Sequence, residues 1–562
     1  MKLKLISPSY PEQSMFRHTA KELKAFWFVR LSLASVAALT PAHWDIDLID
    51  ENVESVDFDD PVDLVGITVM TPYANRAYDI CREYQKRGVP CVLGGPHVTF
   101  LPEEGMKHAT VVVGEAEGAW ERLCADFEKT GQIDRLYRAD RVVNMADIPV
   151  PRRDLFKSEC YMTTHCVQTT RGCPFDCNYC SVTTFFGRGF RERPVEHVVR
   201  EIEAMNTKFV AFVDDNIIAN PTYAKKLFKA LIPLNIKWGS QGSLHLARDP
   251  ELLDLAQKSG CVAMFIGIES LSQANLKGAH KNFNKANRYE EELKIIHDHG
   301  IMINGSFIFG MDHDDEGVFE RTVRFAERNH IETATFHILT PFPGTKLFHE
   351  LEQAGRIIDY DWSHYNGGHV VYRPQLISAE TLLNGYYWAY HEFYRLRNIF
   401  AGLKHVHPLF IPRRLKLNLG YRNAVKRLPK GSITPLGKAI NRLYADISTR
   451  EDVPLIPVPP DPEKPRIHLR DMLRVVPRLN ENCSILVLDL EGILDTKTVS
   501  QLQKRISYAL QHLTLPIALN FERISHFAPT ALGKLAMFQP HADRIFFQNV
   551  ALELQEYLPR WA

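Results

Sequence analysis

Short apolar, β-branched segments alternate with longer amphipathic segments along residues 1–130. The segment Tyr73–Gly88 has a helical pattern and is typical of the longer ones. This alternation predicts a parallel sheet with helices on both faces, which is a doubly wound α/β domain. The predicted strands are Leu3–Ser7, Asp45–Ile49, Leu64–Met70, Cys91–Gly95 and Thr110–Gly114.

A second alternating pattern covers residues 166–345 and contains six strand–helix units. Six units predict a partial (β/α)6 barrel, in which chemistry occurs at the carboxyl ends of the strands. The predicted strands are Val167–Arg171, Phe209–Asp214, Ile236–Gln241, Val262–Ile268, Met302–Phe309 and Thr333–Leu339. The predicted helices between them are Pro194–Asn206, Pro221–Leu231, Pro250–Ser259, Tyr289–His299 and Asp315–Asn329.

The remaining segments divide the chain further. We predict a first domain at 1–135, a connector at 136–165 with a break at Pro149–Asp154, the barrel at 166–345 and a helical extension at 346–450. Residues 453–466 hold six prolines and predict a stiff linker. A small α/β domain is predicted at 467–562, from a strand at Ser484–Gly492, a helix at Asp495–Leu510, a strand at Leu515–Phe521 and a helix at Ala528–Met537.

Two features of the extension allow two interpretations each. Aromatic residues crowd the helical stretch 386–394, where they either line an apolar substrate pocket or form ordinary core. Residues 404–442 contain ten Lys or Arg and no Asp or Glu. This basic stretch is either a solvated face or a peripheral contact with an anionic membrane surface.

Composition narrows the class of protein. Of the 562 residues 45% are hydrophobic and 24% are charged, as in soluble globular proteins. Lys+Arg and Asp+Glu both total 67, so charge does not indicate a nucleic-acid partner. The apolar stretch Ala25–Leu39 contains Arg30 and is too short to cross a bilayer, so we predict a buried helix of the first domain there, and we expect no secretory signal. The ten irregularly spaced cysteines indicate no disulfide framework, and we expect a reducing, cytoplasmic location.

Three cysteines lie close together in the segment 171–180, whose sequence is RGCPFDCNYC. Their CxxxCxxC spacing lets one loop surround a single iron–sulfur cluster with the thiolates of Cys173, Cys177 and Cys180. A 4Fe–4S cluster commonly takes four thiolates, and no fourth cysteine follows at ligand spacing, so one iron is left open. The alternatives are a zinc site and three unrelated core cysteines. Structural zinc takes four protein ligands, commonly as two pairs, and no second pair is present.

This motif, including the aromatic Tyr179, resembles that of the radical S-adenosylmethionine (SAM) enzymes. The resemblance implies that the open iron binds the amino and carboxylate groups of SAM, and it also implies SAM contacts at the ends of later strands. Asp214 and Asp215 are candidates for the SAM amino group, although either is equally an ordinary turn residue. Glu269 resembles the ribose-binding glutamate. Ser306 and Gly310 resemble the adenine-side strand, where glycine either admits the ring or marks a bulge.

Three segments upstream resemble the cobalamin-binding domain that precedes many radical SAM domains. They are Val65–Thr68, Gly94–His97 and Val113–Glu117, and they occur in that order. The resemblance implies a cobalamin site at the strand ends, where small residues let the ligand approach the backbone. A DxHxxG motif is absent, so no histidine ligand to cobalt is implied, and His97 is more simply structural. The candidate residues are Ser7, Thr68, Gly94, Gly95, His97, Gly114 and Glu115.

The two resemblances together imply a cobalamin-dependent radical SAM C-methyltransferase with a 4Fe–4S cluster, SAM and cobalamin as cofactors. Its expected partners are a small-molecule substrate of lipid or isoprenoid type and an external electron donor of flavodoxin or ferredoxin type. Ring formation or oxidation, as in the anaerobic porphyrin-ring cyclases, is the alternative reaction. The tail resembles a STAS domain, with its phospho-acceptor region at Pro529–Gly533. A third hypothesis is therefore a cobalamin-reading regulator that signals to a protein partner through this tail.

Overall fold

The computed structural model describes residues 1–10, 29–139, 142–187, 189–403, 411–443, 445–448, 456–457, 472–480, 484–555 and 558. The chain forms two compact units, and each is treated separately below. Unit 1 contains Met1–Phe309, Phe325–Arg373 and Ala389–Lys430. Unit 2 contains Gly310–Arg324, Pro374–Trp388 and Gly431–Ala562. The predicted extension at 346–450 is thus divided between the two units, and the predicted linker at 453–466 lies mostly outside the described residues.

Unit 1 begins with a six-stranded, all-parallel sheet in the order β2-β1-β3-β4-β5-β6. Its strands are β1 (Lys2–Ser7), β2 (Asp45–Asp50), β3 (Leu64–Thr68), β4 (Cys91–Gly94), β5 (Thr110–Val113) and β6 (Leu136–Arg138). The chain therefore adds strands outward in both directions from β1, as predicted for a doubly wound fold. The sixth strand was not predicted. It lies in the predicted connector, and it contains only three residues, two of them exposed.

Helices cover both faces of this sheet, with a separate apolar layer on each face. Leu3 and Leu5 pack in one layer, which contains Trp120, whereas Ile6 packs in the other, which contains Tyr78. Alternate residues of β1 thus face opposite layers. The helices are Leu31–Leu39, Ala74–Gln85, Pro96–Phe100, Pro102–Gly105 and Ala119–Thr130. The predicted helix at Ala25–Leu39 is confirmed only from Leu31, because residues 11–28 lie outside the described part.

The second sheet of unit 1 is the open barrel, in the order β14-β13-β12-β11-β10-β7 and parallel throughout. Five of the six predicted strands lie close to their predicted positions, whereas the first, predicted at Val167–Arg171, is divided between the barrel sheet (Cys166–Val167) and a separate two-stranded sheet (Thr170–Arg171). The barrel strands are β7 (Cys166–Val167), β10 (Phe209–Phe212), β11 (Lys237–Gly242), β12 (Cys261–Glu269), β13 (Met302–Phe309) and β14 (Thr333–Ile338). After β7 the chain forms two short strands, β8 (Thr170–Arg171) and β9 (Arg191–Glu192), which pair with each other in a separate antiparallel sheet.

Helices follow the barrel strands along the chain; the five predicted helices lie close to their predicted positions, and three further short helices were not predicted. The helices are Ser181–Phe186, Val195–Met205, Pro221–Leu231, Pro250–Lys258, Gln273–Gly278, Tyr289–Asp298, Val318–Arg328 and Lys346–Gln353. Asn220, Asp249 and Thr345 cap three of them by accepting backbone N–H groups of the first turn.

The two faces of the barrel sheet differ in chemistry. The strand register places Trp238, Ile266, Phe307 and Phe336 on one face, which is fully buried under helices. The opposite face, here called the lumen face, is only partly covered and carries mainly polar or small residues. Its members are Gly239, Gln241, Ala263, Phe265, Gly267, Asn304, Ser306, Ile308, Thr335 and His337. A polar concave face of this kind can accept a ligand, whereas the apolar face cannot be exposed.

The edge strand β14 is closed by side chains rather than by another strand. The Tyr390 hydroxyl accepts from the Phe336 N–H at 3.2 Å and donates to the Phe336 carbonyl at 3.0 Å. The Tyr394 hydroxyl makes the same pair of hydrogen bonds with Ala334, at 3.1 and 2.8 Å. These tyrosines therefore protect an open sheet edge, so the core interpretation of the aromatic stretch holds for them. They lie at and beyond the end of the helix Ala379–Phe393.

The C-terminal part of unit 2 is a small sheet with one helix-covered face. The order is β15-β17-β18-β19-β16, and β20 pairs with β19. The strands are β15 (Ala445–Ser448), β16 (Ile456–Pro457), β17 (Met472–Leu479), β18 (Leu486–Leu494), β19 (Ile517–Phe527) and β20 (Ile545–Gln548). Its helices are Pro435–Leu443, Thr496–His512, Pro529–Gly533 and Leu552–Gln555. The predicted alternation of strand and helix after residue 484 is confirmed, whereas β15, β16, β17 and β20 were not predicted.

The basic stretch at 404–442 lies partly outside the described residues. Within it, Ile411–Val425 is a helix of unit 1, and its Arg414 side chain is 5% exposed with Glu332 Oε1 3.6 Å from its guanidinium. Arg414 therefore faces inward and cannot contribute to a membrane-facing surface. Among the described residues, none of the helices combines the length and apolarity needed to span a bilayer.

We predict that replacing both Tyr390 and Tyr394 by Phe destabilises the protein. The changes leave buried N–H and C=O groups of β14 unpaired, which costs about 1–3 kcal/mol for each unsatisfied group. Urea unfolding followed by circular dichroism should show a lower midpoint. Tyr360→Phe is the matched control, because Tyr360 is 55% exposed. Equal midpoints for the double variant and the control would contradict the edge-capping role.

Candidate functional site

The three cysteines lie in the loop that follows β8. Gly172 begins this loop with a φ of +87°, and an added Cβ there would clash with the Gly189 carbonyl oxygen. Only glycine fits this position, and it turns the chain directly into Cys173. The side chains of Cys173, Cys177 and Cys180 are partly exposed and unpaired with any other cysteine.

The protein groups around the loop favour neutral thiols. Burial raises the pKa of Cys173 to about 11 and that of Cys177 to about 12. Bound iron reverses this preference, because a coordinating thiol is deprotonated outright. In the described part of the chain, no three His, Cys, Asp or Glu side chains converge on one metal ion. A cluster does not need such convergence, since each thiolate binds a different iron.

Asp214 holds the start of the cysteine loop. Its carboxylate is fully buried and accepts from the hydroxyls of Thr169 and Thr170 at 2.9 and 2.6 Å. It also accepts from the backbone N–H groups of both threonines. Burial raises the pKa of Asp214 to about 6, although these hydrogen bonds oppose the shift. Asp214 thus makes structural contacts throughout, which disfavours its predicted contact with SAM.

Asp215 remains a candidate ligand-binding group. Its carboxylate accepts from the Gly172 N–H and lies near Cys173 and Cys180. Burial and the neighbouring Asp214 raise the pKa of Asp215 to about 7. Of the two candidate aspartates, Asp215 is therefore the one whose side chain lies beside the cysteine loop.

Glu269 and Lys281 form a buried ion pair on the lumen face. The Lys281 Nζ to Glu269 Oε1 distance is 2.6 Å, and both side chains are about nine-tenths buried. The two side chains pack directly against Gly267. A Cβ added there would be 2.8 Å from Lys281 Nζ and closer still to Glu269 Oε1. Glu269 has a φ of +65° at a bulge in β12, which turns its side chain onto this face. Lys281 was not predicted from the sequence.

Neighbouring segments fix the rest of the cysteine loop. The Asn178 side chain donates to the Gly278 carbonyl at 3.3 Å and to Glu350 at 3.2 Å. Phe175 stacks on Phe283 with ring centroids 3.9 Å apart. The Tyr179 hydroxyl accepts from Lys281 Nζ at 3.5 Å, and burial raises its pKa far above the usual value. Tyr179 therefore connects the cysteine loop to the Glu269–Lys281 pair.

The strand that the resemblance assigns to the adenine side is β13, and its glycine differs from the expected role. Ser306 lies opposite Gly267 in the register and faces the lumen. Gly305 instead faces the apolar side, where an added Cβ would lie 3.2 Å from Ile331 and Phe307. Gly305 therefore cannot support a ring in the lumen, and Ser306 can. Gly310, which begins unit 2, has a φ of +96° and donates its N–H to Asp314 at 2.9 Å.

The predicted cobalamin residues gather at one edge of the first sheet. Ser7, Thr68 and Gly94 end the adjacent parallel strands β1, β3 and β4, at the point where the strand order reverses. Gly95 has a φ of +104°, and its N-terminal neighbour Gly94 accepts the Val69 N–H at 2.7 Å.

The space beside Gly114, at the end of the adjacent strand β5, is open. It follows β5 with a φ of +83°, and an added Cβ would meet nothing within 4 Å. Its N–H donates to the Thr99 hydroxyl at 3.0 Å. Small residues and open backbone at the carboxyl ends of parallel strands fit a large flat ligand such as cobalamin.

His97 and Glu115 have other partners. The His97 ring is fully buried, with Nε2 3.2 Å from the Tyr78 hydroxyl and 3.4 Å from Glu104. This placement favours the structural interpretation of His97. The Glu115 carboxylate forms ion pairs with Arg171 at 2.6 Å and with Arg191 at 2.8 Å. Both of its oxygens are therefore already paired with arginines.

Comparison with known proteins agrees with both halves of this site. The profile of the Radical SAM superfamily matches residues 167–326, and that of the B12 binding domain matches residues 28–124. Bacteriochlorophyllide d C-12(1)-methyltransferase of Chlorobaculum tepidum is 33% identical, over 65% of this chain and 82% of its own length. The chain belongs to the cobalamin-binding radical SAM family. Hopanoid C-2 methylase of Rhodopseudomonas palustris is 28% identical, over 62% of this chain and 68% of its own.

This cobalamin-binding radical SAM protein also shares its fold with a solved member. The structure of OxsB with aqua-cobalamin and S-adenosylmethionine bound has a TM-score of 0.57 and 14% sequence identity. It covers 79% of this chain and 73% of that chain. The protein is a radical SAM enzyme of the methyltransferase type and uses a 4Fe–4S cluster, SAM and cobalamin.

We predict that Cys177→Ala abolishes the iron–sulfur cluster, because two thiolates cannot hold three of its irons. Anaerobically purified variant protein should lose its brown colour, its iron and its labile sulfide. The control is Cys160→Ala, since Cys160 is also partly exposed but lies outside the loop. Full iron content in the Cys177 variant would disprove the ligand assignment.

We predict that Gly267→Ala weakens SAM binding by about tenfold or more, the effect of losing a charge-assisted hydrogen bond of ~1.5–3 kcal/mol. The added methyl group displaces the Glu269–Lys281 pair while leaving the cysteine loop intact. Anaerobic isothermal titration with SAM measures the affinity, and iron content confirms the cluster. In the control Gly278→Ala the added Cβ meets nothing within 4 Å. Unchanged affinity in both variants would remove this pair from the SAM site.

Proposed function

We propose that this protein transfers a methyl group to an unactivated carbon of a large, rigid, mostly apolar polycyclic substrate. The two relatives described above are named for methylation of a bacteriochlorophyllide and of a hopanoid. These substrates differ in origin but share a broad apolar ring system. The observation that supports the proposal most directly is the union, in one unit, of a cysteine loop, a polar lumen face and a cobalamin-type strand edge.

Residues of this chain would position the cofactors as follows. Cys173, Cys177 and Cys180 hold three irons, and Tyr179 covers the loop from one side. Lys281 supplies an ammonium for the carboxylate of SAM, and Glu269 supplies a carboxylate for its ribose hydroxyls. When bound, the cluster supplies the electron that cleaves SAM to a 5′-deoxyadenosyl radical, and cobalamin supplies the methyl group that the substrate receives.

The lumen face can orient a substrate of this kind. His337 follows Thr335 on this face, and both side chains are partly exposed. Burial lowers the pKa of His337, so the ring is neutral and can donate one hydrogen bond and accept another. Its Nδ1 lies against Gly367, where an added Cβ would be only 3.2 Å away. A few such polar groups in an otherwise open site would fix the orientation of a mainly apolar ligand.

The reaction balances only with a supply of electrons from outside the chain. The substrate C–H bond breaks, its hydrogen passes to 5′-deoxyadenosine, and a C–CH3 bond forms. Each methyl group therefore consumes two SAM molecules and two electrons, and yields methionine, 5′-deoxyadenosine and S-adenosylhomocysteine. We propose an external one-electron donor of flavodoxin or ferredoxin type. Contact of the STAS-like tail with a protein partner, and peripheral membrane contact, remain predictions from the sequence.

The experiment is an anaerobic assay of the full chain with cluster, cobalamin, SAM and a chemical reductant. Bacteriochlorophyllide d and a hopanoid serve as separate candidate substrates. Mass spectrometry should show a gain of one CH2 with one of them, together with equal amounts of 5′-deoxyadenosine and S-adenosylhomocysteine. Cys177→Ala should give none of these products, and Cys160→Ala should give all of them.

Other products would identify the competing hypotheses. A hydroxyl, ketone or new ring without added carbon would replace methylation by the cyclase type of reaction. Cobalamin binding without any 5′-deoxyadenosine from wild-type protein would favour the regulator. A CH2 gain with the chlorophyllide but not the hopanoid would assign a tetrapyrrole rather than a lipid substrate, and the reverse result would assign a lipid.

A further inference from the structure

Two ion pairs join the two loops that carry the cofactors, and a third ion pair joins the cobalamin loop to strand β9. Glu115 and Glu117 follow β5 at the cobalamin edge, and Arg171 immediately precedes Gly172 and Cys173. The Arg171 Nη1 to Glu115 Oε1 distance is 2.6 Å, and the Arg171 Nη2 to Glu117 Oε1 distance is 2.7 Å. Arg191 Nη1 lies 2.8 Å from Glu115 Oε2. One guanidinium thus holds two carboxylates of the other loop.

This network is buried and electrically balanced. The Arg171 side chain is 8% exposed and that of Glu115 is 12% exposed. Two arginines meet two glutamates, and Arg191 also donates to the Val143 carbonyl at 3.1 Å. A buried charge is tolerated only with well-placed partners, so the arrangement has few alternatives of similar energy. The forked geometry of arginine fixes both direction and distance.

The carboxylates of this network bind arginines and are therefore not available to bind either cofactor. Both Glu115 oxygens bind arginines, and Glu117 also binds Arg171. Their carboxylates therefore hold protein, although the sequence assigned Glu115 to cobalamin. Gly114 is adjacent to Glu115 in the chain, and Cys173 is two positions from Arg171. Any movement of one cofactor loop relative to the other must strain these pairs.

We propose that Arg171 is a positioning residue that sets the separation between the iron–sulfur cluster and cobalamin. This inference deepens the proposed function and rests on it, because a methyl donor and a radical generator must address one substrate carbon. Reacting atoms need to approach to about 3–3.5 Å, and a misplacement of about 1 Å can cost 10²-fold in rate. The two cofactor loops extend from different sheets of unit 1, and Arg171 joins these loops directly through its ion pairs with Glu115 and Glu117.

The test measures the separation itself and needs no substrate. Reduced cluster and cob(II)alamin each carry an unpaired electron, so pulsed electron paramagnetic resonance of frozen holoenzyme reports the distance between them. We expect one narrow distribution in the wild-type protein. Arg171→Lys keeps the positive charge but cannot bind both carboxylates in a fork, and its distribution should shift or broaden by about 1 Å or more, the scale that already affects rate.

Two further variants control for a general loss of stability. Glu117→Gln keeps the Arg171–Glu115 pair and should broaden the distribution less than Arg171→Lys. Arg153→Lys perturbs an equally buried pair with Glu201, whose side chains are 10% and 1% exposed, but it lies outside the cofactor loops. This control should match the wild-type distribution. Iron content and the cobalamin absorption spectrum verify that each variant holds both cofactors.

The outcomes separate this inference from the proposed reaction. Identical distributions in all four proteins would show that Arg171 only stabilises the fold, and would overturn the proposal. Equal broadening in the Arg153 and Arg171 variants would overturn it too. A failure of methylation in the activity assay leaves the distance measurement intact, because that measurement depends on bound cofactors alone. If Arg171→Lys does not retain both cofactors, the Glu117→Gln variant is compared with the wild-type protein instead. Identical distance distributions in these two proteins would then overturn the proposal.

Discussion

Asp214 fixes the point where the cysteine loop leaves the barrel sheet, and the geometry of the site depends on that point. Its buried carboxylate accepts from two backbone N–H groups and two hydroxyls of Thr169 and Thr170. These donors precede Arg171, Gly172 and Cys173 directly in the chain. A loop of this length has too few internal contacts to define its own position. The sheet therefore imposes it, through one carboxylate at the end of β10.

Much of the architecture could be predicted from the sequence, because it depends on local pattern. The barrel strands and the cysteine spacing are local features, and five of the six predicted strands lie close to their predicted positions, whereas the predicted strand Val167–Arg171 is divided between two sheets. The short edge strand β6 was missed, since three residues with two exposed give almost no hydrophobic signal. Residue types at strand ends were also recognised. Their partners were not, because a partner is set by tertiary folding.

The ion pairs show this difference most clearly. Nothing near Glu115 in sequence indicates Arg171, which is 56 positions away. Likewise Asp214 and Asp215 are adjacent and chemically identical, yet one is enclosed by threonines and the other faces the cysteine loop. Lys281 gave a weak signal, as a lysine within the acid-free stretch 270–289. Its pairing with Glu269 requires the bulge at the end of β12, which the sequence pattern does not reveal.

The sealing of β14 by tyrosine hydroxyls has an evolutionary consequence. A further strand beside β14 would continue the curvature of the sheet and narrow the opening of the barrel. Its register would also be tied to the strands that carry the cofactor ligands. Tyr390 and Tyr394 satisfy the same backbone groups from a separate segment. Substitutions or insertions in that segment can therefore accumulate without shifting the register of the strands that carry the cofactor ligands.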